Sequence, residues 1–369
     1  MSYLYTFLIA FLISLVLCPF VIKFATAKGI MKVPKRSRDI HHDPVPLLGG
    51  IAIIASFGIS VLVNYIFNPN FYVSREVIGL ATGIILISVM GILDDIYDLR
   101  PLYKAIFQTV AAAAAILVSG SRIVYFTDFG ADNGLIYIPS IVSFIATVMW
   151  IFLLTNAFNI IDGLDGLTAG TTVICCITLF FITFLRPDAS LIGEYIPILL
   201  IALVGATAGF LPYNFNPARL YLGETGAAFL GFTVAVISIQ GTMKAHAAIS
   251  IFIPVLAMGL PILDIALAYF RRIIMKKPIA VGDSDHIHHR LLKMGFSQKK
   301  TVLVLYACDI LFGAIAILLS EYQYNRFWLY FAIFMILISI ALYILYSPLI
   351  RHDKKHEENR EEENEVKND

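Results

Sequence analysis

"LLTNAFNIIDGLDGLTAG", residues 153–170, sets four polar side chains into an apolar run at a fixed step of three: Asn156, Asn159, Asp162 and Asp165. Gly163 and Gly166 follow the two acids directly. Helical residues three apart lie on roughly one face, yet three such steps of about 300° carry Asp165 about half a turn away from Asn156. An unbroken helix therefore cannot aim all four groups at one point. The paired glycines predict that the helix ends here and that the backbone curls to bring the acids together. Helix caps and turns also use Asn and Asp, so a plain helix–turn–helix is the competing reading.

The surroundings decide the fold class. Of 369 residues, 59% are hydrophobic and only 14% are charged, against about 25% charged in a soluble domain. Runs of about 20 apolar residues, enough to cross a bilayer of about 30 Å, recur near 3–23, 47–67, 77–93, 103–120, 140–155, 168–185, 195–212, 227–240, 247–270, 301–319 and 327–347. The expected fold is an all-α polytopic membrane protein with about eleven transmembrane helices, one membrane domain over 1–348 and a charged tail over 349–369. No sheet is expected, because open strands leave backbone groups unsatisfied in lipid. The first run has no basic segment before it and is expected to be a retained helix, not a cleaved signal. Cys18, Cys175, Cys176 and Cys308 all lie in apolar runs with no metal-binding spacing and are expected to be small buried hydrophobes.

Charge sets the expected orientation. The side holding the C-terminus carries 22 of the 27 Lys and Arg, and the other carries Arg75, Arg122, Arg186, Lys244 and Arg326. The positive-inside rule then puts the C-terminus in the cytoplasm and the N-terminus outside. Five polar clusters fall on that cytoplasmic face: "KRSRDIHHDPVPLLGG" (35–50), "DDIYDLRPLYK" (94–104), the opening stretch, "YNFNPARLYLGETG" (213–226) and "GDSDHIHHRL" (282–291). The spans themselves are nearly free of ionisable groups. A transporter would carry such groups at mid-membrane, so the distribution favours an enzyme whose site opens on the membrane surface. A total charge near zero argues against a nucleic-acid partner.

Asp94, Asp95 and Asp98 gather at the end of an apolar helix, where the helix dipole opposes negative charge. Either a divalent cation or Lys104 would compensate. Mg²⁺ favours carboxylates together with substrate phosphates, so phosphate chemistry is the sharper reading. Asn214 and Asn216 offer amides, Tyr221 a stacking ring, and Glu224 a carboxylate between glycines. His286, His288, His289 and Arg290 suit a diphosphate or sugar better than zinc, since no cysteine is near.

Together these motifs resemble the polyprenyl-phosphate N-acetylhexosamine-1-phosphate transferases, from the first helix to about residue 295. The carrying features are an Asp-Asp pair ending a helix, "NxxNxxDGLDGL", "YNxxPAxxxxGxTG" and "HxHH", in that order. The resemblance implies transfer of a sugar-1-phosphate from a UDP-sugar to undecaprenyl phosphate, with Mg²⁺ (or Mn²⁺) as cofactor and cytoplasmic loops forming the site in the plasma membrane. It implies catalytic roles for Asp94, Asp95 and Asp162, with one acid of the pair a base for the lipid phosphate. It implies donor contacts for Asn159 and Asp165 on the nucleoside-diphosphate side, for Asn214 and Tyr221 near the uracil, and for His286, His288 and His289. Lys104 and Arg290 are candidates for phosphate contacts, and Glu224, shared with Asp94, for the metal. "HIHH" favours a GlcNAc-type donor, because the sister phospho-MurNAc-pentapeptide transferases typically show three consecutive histidines.

One departure stands out. The family usually reads "GDTGS" where this chain has "GETGA" (223–227), which lengthens the expected metal-binding arm and removes a hydroxyl. Competing readings are a CDP-alcohol phosphotransferase, a secondary transporter and an inactive scaffold. The first needs an Arg four residues beyond its "DG", which "GLTAGTTV" does not supply. The expected partners are a UDP-sugar and a polyprenyl phosphate lipid, with a homodimer as an alternative to the monomer.

Overall fold

The computed structural model describes residues 2–32, 44–69, 71–128, 134–185, 195–242, 252–274 and 286–321. Among these residues the helices are α1 Ser2–Lys28, α2 Gly49–Phe67, α3 Arg75–Tyr97, α4 Pro101–Ser119, α5 Ser140–Ile161, α6 Leu167–Phe184, α7 Tyr195–Asn214, α8 Gly223–Thr242, α9 Phe252–Ala257, α10 Gly259–Ile274, α11 Ile287–Lys293 and α12 Gln298–Glu321. Among the described residues, nine of these (α1–α8 and α12) are long and apolar enough to cross a membrane. The chain is an all-α multi-pass membrane protein.

Three expectations change. The span near 247–270 is not one helix over its described part, since α9 and α10 meet at a break at Met258. Near the middle of α12, Asp309 explains how that break is tolerated. Its carboxylate accepts hydrogen bonds from the Leu260 backbone at the start of α10 and from Thr171 Oγ1 at 2.7 Å, so a donor freed by the break finds an acceptor inside the bundle. The absence of sheet also fails. Two antiparallel ribbons form, β1 Met31–Lys32 with β2 Val45–Pro46, and β3 Tyr125–Asp128 with β4 Gly134–Tyr137. Both lie in connections between helices, so the rule against open strands in lipid does not reach them. Finally, α5 runs six residues past its expected end at 155, to Ile161. The expected span 327–347 and the tail 349–369 lie outside the described residues, as do Lys35, Arg36, Arg38, His41 and His42.

Packing is organised around α8, which touches α2, α3, α5, α6, α7 and α9. Phe229 and Phe232 on α8 are fully buried, while α1 turns Leu4, Leu12, Val16 and Phe20 outward. Lipid is as apolar as a leucine side chain, so helices in it associate by close packing of small residues. Gly205 and Gly209 on α7 let its backbone reach Phe7 and Phe11 of α1. Gly50 of α2 and Gly91 of α3 lie against the backbone of Thr225 and Gly226 at the start of α8. A Cβ on Gly50 would collide with the Gly226 backbone, which has no rotamer to yield. Gly50→Ala is therefore expected to cost about 1–3 kcal/mol, read as an earlier thermal unfolding in detergent. A variant as stable as the wild type would show that the two helices have room to separate.

Candidate active site

The end of α3, the start of α4, the end of α5 and the start of α8 meet at one point. α3 stops at Tyr97, with Asp98 in the left-handed region at φ 51°. This turns the chain sharply into α4, whose first residue is Pro101, a position where its missing N–H costs nothing. Asp94 Oδ1 accepts from the Leu99 backbone N–H at 2.8 Å. Its other oxygen lies 2.7 Å from Lys104 Nζ. The same ammonium lies 3.7 Å from Glu224 Oε2. Asn159 Nδ2 donates to Glu224 Oε1 at 2.5 Å. One lysine thus sits between two carboxylates from different helices, and Lys104, of the two expected compensators, balances the acids at the end of α3.

Asp95 points the other way. It accepts from the backbone N–H groups of Glu224 at 2.8 Å and Thr225 at 3.1 Å, and from Thr225 Oγ1 at 2.6 Å. These are donors that the start of α8 cannot satisfy itself, and a negative charge there is favoured by the dipole. Asp95 and Glu224 are locked together: one anchors the helix end that carries the other.

The opening stretch uncoils as its glycines predict. Helix α5 ends at Ile161, residues 162–166 form a turn with Gly166 at φ 80°, and α6 starts at Leu167. The four polar groups then part company. Asn156 donates to Gln108 of α4 at 2.7 Å and tethers two helices away from the cluster. Asn159 reaches Glu224. Asp165 accepts from Asn216 Nδ2 and from the Ala218 N–H, both at 3.0 Å, and so ties the turn to the segment after α7. Asp162 remains at the cluster, partly buried, with its carboxyl pushed up to about 6. Burial is the main cause, the nearby Lys32 opposes it, and Asp95 and Asp165 add to it.

Asn214, expected beside the uracil, uses its amide to hold backbone. Its Oδ1 accepts from the Gly166 N–H at 3.1 Å and its Nδ2 donates to the Leu220 carbonyl at 3.0 Å. Both ends of the amide are engaged with backbone, and the residue is buried. Tyr221 has Lys32 Nζ over its ring at 5.6 Å from the centroid, held there by the β1–β2 ribbon. His288 is buried against Gly163, with no room between them for a Cβ. Burial, and then the neighbouring His289, lower its imidazole to about 3, so His288 is neutral at any physiological pH. His286 lies 2.9 Å from Asp264, His289 is partly buried beside His288, and Arg290 is buried on the same short helix.

Four contributors stand outside the residues that sequence reasoning assigns to the site: Lys32, Gln108, Thr225 and Asp264. Lys32 is one of four Lys and Arg between α1 and α2, Gln108 carries no distinguishing signal, and Thr225 is a fixed position of the "GxTG" motif to which the sequence reading gives no role. Asp264 does leave one, as a lone acid in the apolar run "GLPILDIALAY".

Among the described residues, no three His, Cys, Asp or Glu side chains gather into a metal cage. The site nevertheless suits Mg²⁺, which takes one or two carboxylates and fills its remaining positions with water and substrate phosphates. Asp94 and Glu224 already converge on a cation, the Lys104 ammonium.

Comparison with known proteins agrees with this geometry. Residues 77–242, which hold the whole acid cluster, match the family model described as Glycosyl transferase family 4. The chain is 35% identical over 335 residues, 90% of its length and 88% of the relative's, to a Bacillus subtilis protein named "Probable undecaprenyl-phosphate N-acetylglucosaminyl 1-phosphate transferase". It is 30% identical over 300 residues to the decaprenyl-phosphate N-acetylglucosaminephosphotransferase of Mycobacterium tuberculosis, covering 76% of this chain and 74% of that one. The phospho-N-acetylmuramoyl-pentapeptide-transferase of Chlorobium limicola is 27% identical over 341 residues, covering 82% of this chain and 87% of that one. With its helical bundle, its acid cluster and these relatives, the chain belongs to the polyprenyl-phosphate N-acetylhexosamine-1-phosphate transferases of glycosyl transferase family 4.

Proposed function

We propose that this protein transfers N-acetylglucosamine-1-phosphate from UDP-GlcNAc to undecaprenyl phosphate and releases UMP, at the cytoplasmic face of the plasma membrane. The observation that carries the reading is the junction of four helix ends, where Asp94 and Glu224 face one ammonium and Asp162 stands beside them. In the reaction a lipid phosphate oxygen bonds to the β-phosphorus of the donor. The bond from that phosphorus to the oxygen bridging to the α-phosphate breaks, and UMP leaves with the electron pair. Phosphoryl transfer asks for positioning and for charge neutralisation more than for covalent help from the protein.

Each residue then has a part. Lys104 is placed to offset negative charge on the phosphates. Neutral His288 can accept or donate a hydrogen bond without repelling a cation, and Arg290 adds a permanent positive charge. Asp162, with its carboxyl at about 6, is an acid of this cluster able to hold a proton near neutral pH, which suits a group receiving one from the lipid phosphate. Asp94 and Glu224 would hold Mg²⁺, and the metal when bound would neutralise charge on the diphosphate. The "HIHH" motif and the relatives' names favour UDP-GlcNAc over a UDP-MurNAc-pentapeptide.

The decisive test is purified protein with undecaprenyl phosphate, Mg²⁺ and a panel of UDP-sugars, assayed for UMP. UDP-GlcNAc should give the highest rate. A preference for UDP-MurNAc-pentapeptide would move the chain to the sister activity, and no turnover with any donor would support the inactive scaffold. Glu224→Gln should raise the Mg²⁺ concentration needed for half-maximal rate by about tenfold or more. An unchanged metal titration would remove Glu224 from the metal.

A further inference from the structure

Asp264 is 2% exposed on α10, a costly place for a carboxylate unless it is fully engaged. Its two oxygens face two consecutive residues of a different segment, one by a hydrogen bond and one by close approach to an imidazole. Oδ1 accepts from the backbone N–H of Ile287 at 2.8 Å, and Oδ2 lies 2.9 Å from His286 Nδ1. A contact to backbone alone would hold the chain but let the side chain turn, and a contact to the imidazole alone would leave the backbone loose. Both together fix the rotation of the segment about its own axis.

That rotation sets where the next histidines point. The rings of His286 and His288 lie parallel within 7° at 5.8 Å, and those of His288 and His289 are 4.3 Å apart. His288 rests on Gly163, in the turn between Asp162 and Asp165. Helix α10, which carries Asp264, packs on α5, the helix that leads into the same turn. The acid therefore has one foot in the scaffold of the turn and the other on the histidines that cover it.

We propose that Asp264 is a positioning residue: it fixes His286 and the start of α11 so that His288 stays seated on Gly163, and through this it sets the affinity of the site for its nucleotide-sugar diphosphate. The inference rests on the proposed donor-binding role of the histidines. It predicts an effect on donor binding and little on the chemical step. Asp264→Asn keeps the shape and one acceptor but loses the charge facing His286. KM for UDP-GlcNAc should rise about tenfold, with kcat within about twofold.

A double-mutant cycle separates this from general support of the fold. Asp264→Asn combined with His286→Ala should raise KM no further than His286→Ala alone, because the acid acts through that ring. Additive effects, an unchanged KM, or a fall in kcat alone would overturn the proposal. Hydrogen exchange on the purified protein gives a readout that needs no turnover. The amides of residues 287–290 should exchange faster in Asp264→Asn, and unchanged protection would overturn the anchoring. If the wild type releases no UMP from UDP-GlcNAc, the donor reading has failed, and the exchange measurement alone decides the role of Asp264. Should Asp264→Asn not fold, Asp264→Glu, which moves the charge by one methylene, replaces it with the same expected and overturning results.

Discussion

Asp95→Asn is expected to reduce UMP release by about two orders of magnitude or more and to lower the stability of the protein at the same time. Both losses have one origin. The Asp95 carboxylate accepts three hydrogen bonds from the first turn of α8. An Asn there offers one oxygen and one NH₂, and the NH₂ would face a backbone N–H, donor against donor. Leaving such a group unpaired and partly buried costs about 2–3 kcal/mol. The start of α8 would shift, and Glu224 would shift with it, away from Lys104 and Asn159. Thr225→Val provides the graded control, since it removes only the hydroxyl and should cost about 1 kcal/mol with a smaller loss of rate. UMP release and thermal unfolding in detergent, measured on the same preparations, check both effects. Asp95→Asn with wild-type turnover would remove this acid from the machinery.

Asp162→Asn should do the opposite to stability while also removing most of the activity. The Asp162 carboxyl stands at about 6 in the folded protein, against an ordinary value near 3.9. The fold thus favours the protonated form. The stability this preference confers is fully present below about pH 4 and is lost as the pH rises through about 6. At pH 8 the wild type therefore carries a partly buried ionised acid that the amide variant does not. The shift corresponds to about 1–3 kcal/mol once partial screening by solvent is allowed for. Asp162→Asn should unfold at a higher temperature than the wild type at pH 8 and at about the same temperature at pH 4.5. A variant less stable at pH 8 would show that Lys32 and the other partners of the ionised carboxylate outweigh the cost of its burial. Turnover should fall about 100-fold or more if this group exchanges a proton with the lipid phosphate, and the wild-type rate should drop as the pH falls through about 6.

Sequence periodicity carries some features of this fold and leaves others silent. Apolar runs register directly as helices, so seven of the nine spans can be placed within four residues at each end, while α1 runs to Lys28 and α5 runs on because polar Asn156 and Asn159 interrupt its pattern without ending it. The break before Leu167 is legible because Gly163 and Gly166 follow acids. What a polar residue points at is not periodic. Four groups at one spacing look like a single array, yet Asn156 joins Gln108 and Asp165 joins Asn216, because their partners lie in segments far away in the chain. Asn214 looks like a ligand contact for the same reason, and its amide is taken by Gly166 and Leu220. Lys104 can be anticipated since the charge beside it demands a partner. Lys32 cannot, because a two-residue ribbon brings it over Tyr221 and no strand is expected there.

Helix α8 lies deepest and is also the least apolar of the nine candidate spans, with 94% of its membrane window buried against 17% for α1. Its sequence has been relieved of any need to face lipid, because other helices face it instead. That arrangement has a consequence for biogenesis. A segment that gains so little from hydrocarbon on its own is poorly equipped to leave the insertion machinery alone. It must enter the bilayer with earlier helices already assembled to receive it, and the glycines of α2 and α3 that admit its first turn lie upstream in the chain, made before it is. The order of synthesis and the order of assembly therefore coincide, and the helix that carries Glu224 is set into a bundle prepared in advance.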